Sequence, residues 1–282
     1  MKNLTMVQKV KHKKNLGHHV FLSSYCIIVV IPFVWLILGA LKTRQEWMVN
    51  PAGLPKYFAI ENFWTSWSMV NLPLAMTNSL VISLCGTIGV IIAASLASFG
   101  VVQIGSKVSK SVYALMIAGL MIPVNAAIIP LFIMVSDLGL LNTRIGIIIP
   151  IIAFNIPFAM LLITAWMQNI PEEIFDSGKV DGAGSLQLFI SLAIPLSLPI
   201  FGTIAIISFV NMWNEFLLSV VLLSGPETRT VPLAVNVFRG VFLVDKGLIS
   251  AGVLITIIPV IICYLIFHKS IISGLTEGGI KG

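Results

Sequence analysis

Ser208, Asn211, Glu215 and Ser219 recur at spacings of 3, 4 and 4, so one continuous helix would carry hydroxyl, amide and carboxylate groups on a single face. The residues around them are apolar, and an acid at the centre of a membrane helix costs roughly 2.5–3.5 kcal/mol on insertion scales. The stripe must therefore face protein or a wet cavity, where it can bond to a neighbouring helix or to a ligand. Asn78 and Asn155 add isolated amides in other apolar stretches, and Trp213 places an aromatic ring beside the stripe. A second group, Glu172, Glu173, Phe175, Asp176 and Gly182, lies in a polar segment and suits docking better than catalysis. None of His12, His18, His19 and His268 stands with a nucleophile or metal constellation, so no catalytic residue and no metal site is expected. No G-x-x-x-x-G-K-[ST] phosphate loop occurs, and ATP hydrolysis by this chain is not expected. Cys26, Cys85 and Cys263 lack metal-ligand spacing and read as small buried hydrophobes.

The elements that must position these groups follow from composition. The chain has 282 residues, 57% of them hydrophobic and 10% charged, with a mean hydropathy of +1.02. Soluble domains carry about 25% charged residues, so a water-soluble fold is not expected. Uncharged stretches long enough to span a hydrocarbon core, which takes about 20 residues per helix, run from Val20 to Leu41, Thr77 to Val102, Ser111 to Ser136, Ile145 to Met167, Leu196 to Leu223 and Leu248 to Phe267. The expected fold is all-α, a polytopic membrane protein with six transmembrane helices. Leu186 to Leu196 is too short for a seventh, and Pro195 and Pro199 separate it from the fifth span.

The net charge of +6 does not indicate nucleic acid, because the basic residues sit in the loops and are not gathered on one long polar face with interleaved aromatics. Lys2, Lys9, Lys11, Lys13 and Lys14 precede the first span and predict a cytoplasmic N-terminus by the positive-inside rule. Lys42, Arg44, Lys56, Arg229, Arg239 and Lys246 run against that rule; the lysine run decides it, and an even number of crossings returns the C-terminus to the same side. The first apolar run is long for a cleavable signal and lacks an A-x-A site, so it reads as a membrane anchor. The expected organisation is residues 1–71 (tail, first span and an aromatic-rich outer loop), a core over 72–268, and a tail over 269–282 whose glycines permit extended backbone. In the second span, Gly86, Gly89, Ala93 and Ala97 form a smooth face for close helix packing. Pro123, Pro130, Pro150 and Pro157 predict broken helices in the third and fourth spans.

The polar segment 170–195 is read as an elbow. Pro171 suits a first helical position, and Glu172 and Glu173 complement the helix dipole. A short helix from Pro171 to about Val180 follows; Gly182-Ala183-Gly184 allows a reversal, and Ser185 can cap a second limb towards Pro195. Phe175 beside acids would form a knob for a groove on a soluble partner.

This elbow resembles the EAA loop of bacterial ABC importer permeases. Asp176-Ser177-Gly178 takes the E-A-A place, Gly182 the glycine, and Leu192-Ala193-Ile194-Pro195 the I-x-L-P. The Val180-Asp181-Gly182-Ala183 run and Ile170-Pro171-Glu172 are similar to the carbohydrate branch. Asn78-Ser79, Gly139-Leu140-Leu141-Asn142-Thr143, Ile156-Pro157-Phe158, Trp213-Asn214-Glu215-Phe216-Leu217 and Gly278-Gly279-Ile280-Lys281-Gly282 resemble the shorter, six-span, maltose-type subunit. The resemblance implies a type I importer permease (MetI-like) fold in the bacterial plasma membrane and import of a carbohydrate. It also implies three partners: a homologous second permease, a cytoplasmic ATPase dimer that binds ATP and Mg, and an extracytoplasmic solute-binding protein. No cofactor is implied in this chain. Glu172, Glu173, Phe175, Asp176 and Gly182 become ATPase-coupling residues. Asn78, Asn155, Ser208, Asn211, Trp213 and Glu215 line either the substrate pathway or the interface with the second permease. Gly178 in place of alanine predicts a looser coupling helix, by up to about 1 kcal/mol.

Two other classes share parts of the pattern. An ion-coupled secondary transporter also uses broken helices and midplane polar groups, yet it leaves the elbow without a role and has only Glu215 inside a span as a relay. A membrane scaffold accounts for hydrophobicity alone.

Overall fold

A computed structural model describes residues 16–241 and 245–279. The lysine run at 2–14 and the terminal Ile280-Lys281-Gly282 lie outside the described residues. Helices, in chain order, are α1 (Leu16–Ala40), α2 (Arg44–Val49), α3 (Glu61–Met69), α4 (Leu72–Ile104), α5 (Lys107–Gly119), α6 (Val124–Asp137) and α7 (Arg144–Met167). They continue with α8 (Glu172–Val180), α9 (Ser185–Leu188), a π-helical turn (Phe189–Ala193) and α10 (Ile194–Leu196). Last come α11 (Leu198–Trp213), α12 (Leu217–Leu222), α13 (Val231–Val241) and α14 (Lys246–Gly279).

Four helices are continuous apolar spans, in α1, α4, α7 and α14, and two more spans are bent pairs. The α5 and α6 helices meet at 103°, and the 185–196 stretch meets α11 at 74°. Six spans is therefore the architecture, with two corrections to their shape. The third breaks after Gly119, where Pro123 caps α6 in an extended conformation. The fifth ends at Trp213 and resumes at Leu217, so Leu196 to Leu223 is not one helix. Pro150 and Pro157, by contrast, do not break α7, which packs along α4 and stays helical throughout.

The core is built where α4, α7 and α11 meet, around Ile82, Val90, Ala94, Ile147, Ile163 and Ile204. The smooth face of α4 works as its small residues require: a Cβ on Gly86 would run into Met212, and one on Gly89 into Ile152. Nearer the C-terminal end of α4, Ser98 Oγ donates to the Met160 carbonyl at 3.2 Å, and Thr164 Oγ1 donates to Ser98 Oγ at 3.0 Å. Interhelical bonds of this kind contribute about 0.6 kcal/mol each, and they fix the α4–α7 register that carries the elbow. The α14 helix continues to Gly279, so the expected extended tail is helical over that length. Of the cysteines only Cys263 is buried; Cys26 and Cys85 are exposed on the bundle surface, which corrects the expectation for those two.

The loop after α1 is an ordered cap. Thr43 and Glu46 form a reciprocal capping box on α2. Lys42 is 1% exposed, and its ammonium donates to the carbonyls of Asn50 (3.0 Å) and Pro51 (2.8 Å) beside the Trp47 ring. Asn62 Nδ2 donates to the Ala40 and Lys42 carbonyls, and Ser66 Oγ to the Leu248 carbonyl, tying α3 to α1 and α14. Burial pushes the Glu46 carboxyl up, but the amides of Lys56, Thr43 and Tyr57 and the nearby Lys42 charge outweigh it and hold the group below its ordinary value.

Candidate functional sites: an elbow at one end and an interrupted helix within

The elbow is made by local chemistry and then locked by one aromatic. Pro171 is the N-cap of α8 rather than its first residue, and Glu172 and Glu173 fill the first turn with Lys179 in the last. At the C-terminus, the Ala183 amide donates to the Gly178 carbonyl and the Gly182 amide to the Lys179 carbonyl. With Gly182 at φ +82°, this is a Schellman motif, which needs a residue without a Cβ at the left-handed position. The second limb starts at Ser185, with Gly184 as its cap.

Phe175 lies underneath. It is 2% exposed and its ring centroid is 6.2 Å from that of Phe99 near the end of α4. Phe189, in the π-helical turn, packs 5.2 Å from the same Phe99. The expected exposed knob is therefore a buried wedge joining the elbow to the core. What is exposed instead is Val180, at 87%, and Leu186, at 68%, together with the acids Glu172, Glu173 and Asp176. Asp176 pairs with Lys179 at 2.9 Å, both exposed, a contact worth less than about 1 kcal/mol. Gly178 also acquires a reason: a Cβ there would stand 2.6 Å from Leu188 Cδ2 and 3.2 Å from Leu192 Cδ1. The missing methyl lets the two limbs close on each other and offsets the loss of helix propensity.

The polar stripe is divided by the end of α11. Ser208 and Ser219 are buried, while Asn211 is exposed and Glu215 half-buried. Glu215 Oε1 accepts from the Leu218 amide at 2.8 Å, and Ser219 Oγ donates to the Glu215 carbonyl. Glu215 thereby caps α12, and the interruption at 214–216 frees carbonyls of the last turn of α11. Around this break a cleft of about 330 Å³ brings together Asn155, Asn211, Asn214 and Glu215 with Phe154 and Met212. Asn155 Nδ2 donates to the Ile151 carbonyl and Asn214 Nδ2 to the Val210 carbonyl. Those carbonyls can only accept, so both Oδ1 atoms are left as acceptors for a further partner.

Two expected members are elsewhere. Trp213 is 2% exposed and stacked on Phe209 at 5.8 Å, so its ring face is occupied. Asn78 is fully buried at the opposite end of α4 from the elbow side. Its Nδ2 donates to the carbonyls of Glu227 (2.8 Å) and Arg229 (2.9 Å), and its Oδ1 accepts from Arg144 Nε at 2.9 Å. Asn142, at φ +58°, accepts from the Gly225 amide and the Thr228 hydroxyl beside it. Asn78 is thus the centre of a latch between α4, α7 and the 225–230 loop. Missed by sequence reasoning were Asn214, Val180 and Leu186; Asn214 was visible next to Glu215 but falls off the stripe of a continuous helix.

A six-span helical bundle with an interrupted polar helix inside and a capped two-limbed loop at one end defines a multi-pass membrane permease. Residues 86–276 match the family described as binding-protein-dependent transport system inner membrane component, and the chain belongs to that family. It is 29% identical over 262 residues to the diacetylchitobiose uptake system permease protein NgcG of Streptomyces coelicolor, covering 92% of this chain and 87% of that one. It is 31% identical over 253 residues to the melibiose/raffinose/stachyose import permease protein MelC of Bacillus subtilis, covering 89% and 91%. Its fold is similar to that of a bacterial ABC transporter involved in the import of the acidic polysaccharide alginate, with a TM-score of 0.76 at 22% identity over 90% of this chain and 95% of that one.

Proposed function

We propose that the chain is a transmembrane subunit of an ATP-driven saccharide importer, paired with a homologous second permease. It receives an oligosaccharide from an extracytoplasmic binding protein and is driven by a separate cytoplasmic ATPase dimer. The family membership and the di- and oligosaccharide substrates named for its relatives support the substrate class. The observation that carries the mechanism is the elbow. Phe175 is wedged against Phe99, and the Schellman turn fixes the limbs, so a push on Val180 and Leu186 reaches α4 without bending the lever. Closure of the ATPase shifts the pore equilibrium through differential contact with this surface. The elbow and both termini then face the cytoplasm, and the latch at Asn78 faces outward.

In this reading the cleft of Asn155, Asn211, Asn214 and Glu215 lies on the saccharide path, because its spare acceptors suit hydroxyl donors. Reconstitution of the assembled importer tests it. Uptake of melibiose, raffinose or N,N′-diacetylchitobiose that requires both ATP and the binding protein is the expected result. Uptake driven by an ion gradient without ATP would instead establish a secondary transporter.

A further inference from the structure

The interruption at 214–216 has a second cleft on its other side, between the end of α11, α13 and α14. It measures about 470 Å³ and is lined by Trp213, Asn214, Phe216, Asn236 and Thr256 among apolar residues. That volume falls in the range of small-molecule sites, about 300–1,000 Å³. Asn214 borders both clefts, so the two adjoin at the break.

The second cleft has a definite hydrogen-bonding character. Asn214 Oδ1 is open as an acceptor, because its amide nitrogen is committed to the Val210 carbonyl. Thr256 donates its hydroxyl proton to the Val253 carbonyl at 2.8 Å, which leaves its oxygen able to accept. Among the described residues neither the exposed Asn236 amide nor the Trp213 indole N–H makes a hydrogen bond, and both residues line this cleft. Phe216, 40% exposed, supplies the aromatic surface that the buried Trp213 ring cannot. No charged side chain lines this cleft.

Donors and acceptors in comparable number, one aromatic face and no ion match an uncharged pyranose, whose hydroxyls do both and whose C–H face packs on a ring. An acyl chain would leave the amides and the indole N–H unpaired, and a carboxylate or sulfonate would enter without a counter-charge. We propose that this cleft is a second saccharide subsite, holding one neutral sugar unit while its neighbour occupies the first cleft across the Asn214–Phe216 break. The proposal rests on the reading of the chain as a saccharide importer.

The test uses the assembled importer with its binding protein and the saccharide, among melibiose, raffinose and N,N′-diacetylchitobiose, that the wild type takes up fastest. Asn236→Cys, in a background with Cys26→Ser and Cys85→Ser, is labelled with a small methanethiosulfonate in the vanadate-trapped state. Saccharide-loaded binding protein should slow labelling relative to unloaded binding protein. In parallel, Phe216→Ala should lower sugar moved per ATP hydrolysed by about 2- to 10-fold, as loss of one aromatic contact implies, and Phe216→Tyr should restore it. Unchanged labelling together with an unchanged transport ratio, in an importer that still moves sugar, overturns the subsite alone. Failure of the wild type to take up any of the three saccharides overturns the importer reading and the subsite together.

Discussion

The elbow at 170–196 and the break at 214–216 are both short irregular segments in an otherwise helical bundle, and they treat their polar groups in opposite ways. In the elbow the amides and carbonyls of the turn are closed on one another through the Schellman bonds, and its two aromatics, Phe175 and Phe189, are buried. At the break the amides of Asn155 and Asn214 each spend only the donor side, while Asn211 and Asn236 lie exposed on the two sides of the break. A segment that transmits force needs a single conformation, and closed hydrogen bonding supplies it. A segment that handles a passing ligand needs spare hydrogen-bonding capacity held by a rigid frame. In the proposed function, the difference separates a lever from a path within one chain.

Substitutions break this contrast most sharply at the wedge. Phe175→Ala removes a buried aromatic that meets Phe99. It should cost about 3–5 kcal/mol locally and uncouple ATP hydrolysis from uptake in the reconstituted importer, whereas Phe175→Leu should retain most coupling. A smaller effect is expected at the turn. Gly182→Ala forces a Cβ into φ +82°, a strain of about 1–2 kcal/mol; proteolysis of the elbow should accelerate while the thermal midpoint of the bundle stays put.

The cap after α1 offers the smallest effect, and one that should leave both regions untouched. Glu46 has a native pKa held below its ordinary value. Its contribution is therefore fully present above the unfolded value of about 4.3 and is lost as pH falls through the lowered native value. The thermal midpoint of the detergent-purified protein should drop over that acidic window in the wild type and less in Glu46→Gln, with elbow proteolysis unchanged.

Local chemistry was legible in the sequence where it acts over a few residues. Gly182-Ala183-Gly184 and the acids after Pro171 gave the elbow its turn and its first limb to within a residue. The apolar runs located all six spans because their length alone decides the matter. The burial of Phe175 was not legible, since it depends on Phe99 and Phe189, which reach it only after α4 and the π-helical turn are in place. The break after Trp213 carries no glycine or proline, so hydropathy reads straight through it; the Leu218 amide donates to the Glu215 carboxylate across the start of the next helix. Reading one continuous helix put Ser208 and Ser219 on a stripe lining either the path or a subunit interface; both are buried in this chain, and Asn214 and Phe216 fell off the stripe. Asn78 was identified as important in kind, yet its role as a saturated latch required the 225–230 loop to be placed.

The central claim is that the elbow is an inward-facing lever held by a nucleotide-hydrolysing partner. The most direct measurement places a cysteine at its tip, Val180→Cys, in a background with Cys26→Ser and Cys85→Ser, and a control at the opposite end, Arg229→Cys, in the intact importer. Cross-linking with a short bismaleimide should join position 180, and not 229, to the ATPase, and a membrane-impermeant thiol reagent applied to intact cells should label 229 alone. Labelling of position 180 from outside, or no cross-link to the ATPase in an assembled, transporting complex, would contradict it.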